Sequence, residues 1–258
     1  MSVYLLWAYG LPAMLAMGIV AWAVATARHN AGLVDIFWSL FFVSGAAVYA
    51  GLGTERGLRA GVLITLLLAW AVRLAGHLAL RNWNAPEDHR YREIRARNEP
   101  GFAWKSLYLV FGLQAVLAWI IAAPLAAALH SPEPLHALGI AGAVLALFGI
   151  GFESIADAQL AAFKADAANG KSVMDRGLWR YSRHPNYFGE FCTWWGFYLL
   201  AADGGGAWTI FSPLLMSLLL LRVSGVTLLE KDIGERRPGY REYVARTNEF
   251  FPGPRRGA

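Results

Sequence analysis

The sequence predicts an all-α membrane protein of seven transmembrane helices, and three observations lead there. Of its 258 residues, 57% are hydrophobic and only 16% charged, and the mean hydropathy is +0.39; a soluble domain carries far more charge. Apolar runs occupy 3–27, 33–50, 58–80, 103–128, 134–163, 187–202 and 207–229, and most reach the roughly 20 residues that cross a hydrocarbon core. The bases between those runs are strongly asymmetric.

That asymmetry predicts the topology. Arg28 follows the first run; Arg81, Arg90, Arg92, Arg95, Arg97 and Lys105 fill 81–105; Lys164, Lys171, Arg176, Arg180 and Arg183 fill 164–183. The tail adds Lys231, Arg236, Arg237, Arg241, Arg246, Arg255 and Arg256, whereas the opposite connections hold only Arg56 and Arg59. With seven crossings every rich segment falls on one side, which puts the N-terminus outside and the C-terminus in the cytoplasm. The net charge of +5 therefore reads as topology and attraction to anionic lipid, with no nucleic-acid partner implied.

Taken in order, Leu5 to Val24 reads as a retained first helix, since no basic region and small-residue cleavage site accompany it. After the third run, Trp83-Asn84-Ala85-Pro86-Glu87-Asp88 opens a polar connection in which Pro86 suits the first turn of a short surface helix. That helix carries Tyr91 and Ile94 and stops at Pro100-Gly101. Ser131-Pro132-Glu133-Pro134 makes a tight turn, and Asn169-Gly170-Lys171 with Asp175-Arg176-Gly177 make 164–186 a turn-rich cytoplasmic loop. Pro185 then begins the sixth helix. The run at 187–202 is short and ends in Asp203-Gly204-Gly205-Gly206, so six spans and one partial insertion is the alternative. In the tail, 230–258, Tyr240, Tyr243, Phe250 and Phe251 accompany the bases and predict an ordered segment folded back on the cytoplasmic face. No internal repeat or composition shift divides the chain, so a single membrane domain is expected.

Ionisable groups inside such spans cost several kcal/mol unless paired, which makes each one a candidate for function. Arg73, His77 and Arg81 share one helical stripe, as do Glu153, Asp157 and Lys164; Asp35 and Trp38 share a face, as do Tyr187, Glu190 and Trp194. Buried pairs holding the bundle together would explain some of these singly. The density of Arg180-Tyr181-Ser182-Arg183-His184-Pro185-Asn186-Tyr187-Phe188-Gly189-Glu190 points further. Arginines and a lysine match phosphate, an amide and carboxylates orient hydroxyls or amides, and tyrosines stack or donate. A nucleotide fits those needs, although neither a Gly-x-Gly-x-x-Gly nor a P-loop pattern occurs. His29, His77, His89, His130, His136 and His184 contain no His-x-x-x-His pair, the lone Cys192 reads as an inert helix residue, and no metal site is expected. No Gly-x-Ser-x-Gly elbow supports hydrolysis.

Arg183-His184-Pro185-Asn186-Tyr187-Phe188-Gly189-Glu190, with Asp157 before it and the aromatic basic tail after it, resembles the membrane steroid 5-alpha-reductase family and its bacterial branch, formerly a domain of unknown function. Val34-Asp35-Ile36-Phe37-Trp38 also resembles that branch. The resemblance implies NADPH as cofactor and a 3-oxo-4-ene steroid or similar lipophilic enone as substrate, in a bacterial inner membrane with no obligate protein partner. It implies that Asp157, Asn186, Tyr187, Glu190 and Tyr243 surround the nucleotide, with Arg180 and Arg183 near; Arg81, Lys164, Asn169, Arg176, Tyr181, His184 and Arg246 complete the expected cofactor set. It also implies an acid or amide and a tyrosine in the first half to hold the ketone. Asp35, Trp38, His77 and Tyr91 are the candidates there, without a resolved pair, and Tyr49 lies too far toward the outer side. A similarity to isoprenylcysteine carboxyl methyltransferases through Arg-His-Pro-x-Tyr leaves an S-adenosylmethionine enzyme as the alternative, with a non-enzymatic lipid-binding protein behind it.

Overall fold

The computed structural model describes residues 1–53, 57–170, 172–223 and 239–256. Arg56, Lys171, Lys231, Arg236 and Arg237 of the charge pattern, and residues 224–229 of the last apolar run, lie outside them. The described residues are all helix and connection: α1 Val3–Ala27, α2 Val34–Leu52, α3 Leu58–Asn82, α4 His89–Asn98, α5 Phe102–Ile121, α6 Ala123–His130, α7 Ala137–Ala165, α8 Pro185–Ala201, α9 Phe211–Leu218 and α10 Tyr240–Arg246. Six helical stretches among them are long and apolar enough to cross a membrane: α1, the Ala31–Leu52 stretch ending in α2, α3, α5, α7 and the Pro185–Arg222 stretch. The protein is thus an all-α polytopic membrane protein.

The Pro185–Arg222 stretch is bent back on itself. Gly205 at φ 87 ends the helical path, a left-handed conformation that glycine adopts without steric cost. Trp195 Nε1 then donates to Ser217 Oγ at 3.3 Å, so α9 returns alongside α8. The run expected at 103–128 is also divided, because α5 closes at Ala122 and Pro124 opens α6. Within α5, Leu107–Gly112 widens to π-helical turns, a local strain that recurs at functional sites.

The chain forms two compact units, residues 1–140 with 200–212 and residues 141–199 with 213–258. In the first, α1 and α2 approach closely because a Cβ at Gly10 would fall on the Tyr49 hydroxyl and one at Gly45 on the Met14 methyl. Trp7 and Trp119 stack at 4.6 Å and donate to each other's carbonyls at 2.8 and 2.9 Å. Trp22 and Trp104 meet at 5.0 Å toward the other end of α1. Fifteen residues of helix separate Trp7 from Trp22, about 22 Å at 1.5 Å per residue, the spacing of two interfacial aromatic girdles.

Arg59 is no exposed loop charge. It is 1% exposed, pairs with Asp203 at 2.8 Å, and donates to the carbonyls of Leu200 and Pro134 at 2.5 and 2.7 Å. Asp203 also accepts from the His136 N–H at 3.0 Å, so one ion pair ties the starts of α3 and α7 to the end of α8. A buried, paired arginine reports packing as well as topology.

In the second unit α7 and α8 lie backbone to backbone. A Cβ at Gly189 would come within 2.7 Å of the Gly149 carbonyl, and one at Gly196 within 2.6 Å of the Gly142 carbonyl, the small-residue contact by which membrane helices approach. Trp179 Nε1 donates to Ala156 O at 2.9 Å and Gln159 Oε1 accepts from the Leu178 N–H at 2.9 Å, which fixes the loop before α8 against α7. The segment after α10 returns to that loop: Ser182 Oγ donates to Phe250 O at 2.7 Å, the Gly253 N–H to Tyr181 O at 3.1 Å, and Arg255 Nη2 to Asp175 Oδ2 at 2.9 Å.

Candidate functional site

In the first unit the polar connection after α3 folds onto the start of α2. Helix α4 begins at His89, three residues later than Pro86 suggested, because Asp88 caps it by accepting from the Arg90 N–H at 3.0 Å. Glu87 anchors the connection: its Oε1 accepts from the Ala31 N–H at 2.7 Å and from Arg95 at 2.8 Å, while Oε2 takes a second Arg95 bond at 3.0 Å. Partial burial acts against the Glu87 charge, but the Arg95 and Ala31 hydrogen bonds hold its carboxyl below the ordinary 4.5.

That anchor delivers α4 to Asp35. The Tyr91 hydroxyl donates to Asp35 Oδ1 at 2.6 Å, Arg90 Nη2 reaches Oδ2 at 3.3 Å, and Gln114 Nε2 donates to the Tyr91 hydroxyl oxygen at 3.3 Å. Tyr91 rests on a core that includes Leu33, Val34 and Phe111, and Gly32 leaves room for its ring, since a Cβ there would sit 3.2 Å from Tyr91 Cδ2. Burial pushes the phenol well above its ordinary 10, and the charge and hydrogen bond of Asp35 push the same way. Burial alone would lower the Arg90 proton affinity, but Asp35 and the neighbouring groups outweigh it and raise it. The result is a phenol, a carboxyl group and a guanidinium meeting at the end of an apolar helix.

The other first-half candidates fall differently. Trp38 meets Phe42 edge-on at 5.3 Å and so belongs to an aromatic stack. His77 is half-buried on α3, one turn before Arg81. Arg81 is exposed and donates to Asn82 at 2.8 Å; burial acts to raise the Asp88 carboxyl, but the Arg90 contacts and, after them, the Arg81 charge hold it low, so Arg81 belongs with this cluster. Tyr91 lies on α4, the short helix expected there, which is what brings it to Asp35. Arg90 and Gln114, which the sequence reading did not single out as site candidates, join the cluster; Gln114, the one amide in the apolar run 103–128, was the visible signal.

The second unit gathers most of the expected cofactor set. Asp157, 7% exposed on α7, accepts from Asn186 Nδ2 at 3.3 Å in the first turn of α8. His184 and Tyr187 stack at 5.8 Å, with interplanar angle 7°, and Glu190 is buried one turn beyond Asn186. The Arg183 N–H donates to Asn248 O at 2.9 Å while its side chain is buried. Asn169 bridges Phe163 O at 3.1 Å and Asp166 at 3.3 Å, Arg176 lies over the Phe163 ring at 5.7 Å, and Arg246 faces Asp175 at 3.9 Å. Lys164, Arg180 and Tyr181 are exposed. Tyr243 directs its hydroxyl to Trp179 O at 2.6 Å, so it braces the loop.

Residues 21–247 match the family described as protein of unknown function (DUF1295). The chain belongs to that family. The match agrees with the resemblance to the membrane steroid 5-alpha-reductases carried by 183–190. A relative described as an uncharacterized protein of Schizosaccharomyces pombe is 26% identical, over 94% of this chain and 78% of its own length, so similar chains occur outside bacteria. No solved structure matches. Membership and the helical architecture together support a membrane enzyme acting on a lipophilic substrate.

Proposed function

We propose that the protein reduces the carbon–carbon double bond of a 3-oxo-4-ene steroid or similar lipophilic enone, with NADPH as reductant. The observation that carries this reading is the Tyr91–Asp35 hydrogen bond of 2.6 Å, backed by Arg90 and Gln114. It is an acid and a tyrosine of the first half, the pair that a ketone-binding reductase of this kind requires.

The donor set of the second unit fits a dinucleotide. Arg176, Arg180, Arg183, Arg246 and Lys164 match phosphate charge, and the Asp157–Asn186 pair with Glu190 offers both acceptors and an amide. When bound, NADPH supplies the hydride that reaches the β carbon. The chain's own part is at the carbonyl. A ketone oxygen entering beside Tyr91 takes the phenol proton's hydrogen bond from Asp35, while Arg90 remains on the carboxylate and Gln114 on the phenol oxygen. The hydrogen bond strengthens as enolate charge develops on that oxygen, and protonation of the α carbon completes the saturation. In this reading seven spans place the N-terminus outside and the cofactor groups on the cytoplasmic side, as the basic segments direct.

The test is NADPH oxidation by the purified protein in lipid with a panel of enones, the product analysed for a gain of two hydrogens. NADPH binding without S-adenosylmethionine binding is expected; binding of S-adenosylmethionine alone would overturn the reductase reading in favour of a methyltransferase.

A further inference from the structure

The chain that enters α8 is held from the C-terminal side. Ser182 is 0% exposed, between the Gly177–Arg180 turn and α8. Its hydroxyl is used twice: Oγ donates its one proton to Phe250 O at 2.7 Å and accepts from the His184 N–H at 3.1 Å. The second bond closes a turn onto the N–H two positions on, a local fold that serine side chains favour. The flanking residues are held by the same segment, the Gly253 N–H donating to Tyr181 O at 3.1 Å and the Arg183 N–H to Asn248 O at 2.9 Å.

Pro185 makes that joint decisive. It has no N–H, so Arg183 and His184 carry the last backbone donors before the helix, and both are committed to these bonds. His184 O accepts from the Phe188 N–H at 3.1 Å, which makes His184 the residue from which α8 starts. Whatever fixes His184 fixes the direction of the first turn, where Asn186 reaches Asp157 and Tyr187 stacks on His184.

The segment that holds Ser182 has anchors of its own. The Phe250 ring meets Phe188 and Phe191 edge-on at 6.1 and 5.7 Å, and Arg255 Nη2 donates to Asp175 O at 2.8 Å and to Asp175 Oδ2 at 2.9 Å. Removing the Ser182 hydroxyl leaves those contacts in place and cuts the link between them and His184.

We infer that Ser182 is a positioning residue for the cofactor: through its hydroxyl the segment 248–255 sets the angle at which α8 presents Asn186, Tyr187 and Glu190, a role that rests on the proposed use of NADPH. The test uses the full chain in lipid, with NADPH affinity read by titration beside steady-state kinetics on an enone and a melting curve. Ser182→Ala should weaken NADPH binding about ten-fold, the scale of one or two hydrogen bonds, and leave kcat at saturating NADPH and the KM for the enone nearly unchanged. Ser182→Thr, which keeps the hydroxyl, should recover most of that affinity even though its added methyl lowers the melting temperature at a fully buried site. Arg255→Ala frees the far end of the segment and should also weaken NADPH binding. Combined with Ser182→Ala it should add little further loss, since both act through one joint. Its part-exposed pair lets Arg255→Ala serve alone if Ser182→Ala folds poorly. Wild-type NADPH affinity in either alanine variant, or a loss that follows the melting temperature through both Ser182 variants, would overturn the role of Ser182 and leave the reductase reading standing. Absence of NADPH binding by the wild type would overturn that reading, and the role of Ser182 with it.

Discussion

Two clusters of charge stand at opposite ends of the first unit's helices, and they are built on opposite terms. At the start of α3, Arg59 and Asp203 are 1% and 3% exposed, and the two terminal guanidinium nitrogens and the carboxylate are directed at each other and at the carbonyls and N–H of two helix ends. At the start of α2, Asp35 and Arg90 are 22% and 27% exposed, and the central bond runs through a phenol that has only one proton to give. The first arrangement is a buried ion pair between helix ends; on the proposed function, the second exchanges a protein hydrogen bond for one to a ketone. Burial of charge alone therefore does not mark a functional site. On the proposed function, what marks it is a donor that can be redirected without stranding its partner.

The largest expected effect separates the two at once. Arg59→Ala strands Asp203 in the interior, which costs about 3–5 kcal/mol for a buried pair broken on one side; thermal unfolding in lipid should show that loss, with normal turnover in whatever protein remains folded. Tyr91→Phe should do the reverse. It should lower kcat by about 10²–10³ and change stability by about 1 kcal/mol, as read from steady-state kinetics beside a melting curve. A variant that unfolds like Arg59→Ala would make the Asp35 cluster structural too.

Gln114→Leu sharpens the same contrast at smaller scale. Replacing an intramembrane amide with an apolar side chain should leave stability nearly unchanged and lower kcat/KM about ten-fold, measured against an enone that turns over. The smallest effect concerns acid. The folded state holds Glu87 below 4.5, so its contribution to stability is fully present above 4.5 and is lost as pH falls through the lower folded value. Hydrogen exchange of 85–95 should accelerate over that acid range in the wild type, and Glu87→Gln should flatten the pH dependence. Tyr91 shifts the other way: with its phenol raised well above 10, ionisation of that group should not limit activity below pH 10.

Most of the fold was legible because membrane helices are written locally. Length, apolarity and Pro185 were enough for α8, and the glycines at 204–206 announced the reversal that follows it. The break at Ala122, where one apolar run becomes two helices, was signalled only by Pro124, which the sequence reading passed over. The site was legible as residue types but not as pairs. Asp35 and Tyr91 were both candidates, yet their bond joins positions 56 apart through an anchor, Glu87, that reads as an ordinary helix-start acid. Arg59 failed for the same reason: its partner lies 144 residues away (203 − 59), and sequence alone shows only a base near a loop. Asp157 and Asn186 were legible because they sit in one recognisable motif.

The most direct measurement of the central claim is product analysis after incubating wild-type protein and Tyr91→Phe, matched for folded content, with NADPH and a 3-oxo-4-ene steroid. The wild type should return the steroid enlarged by two hydrogens, and Tyr91→Phe should bind NADPH equally well while forming at least a hundred-fold less product. Equal product from both proteins would remove Asp35 and Tyr91 from the chemistry.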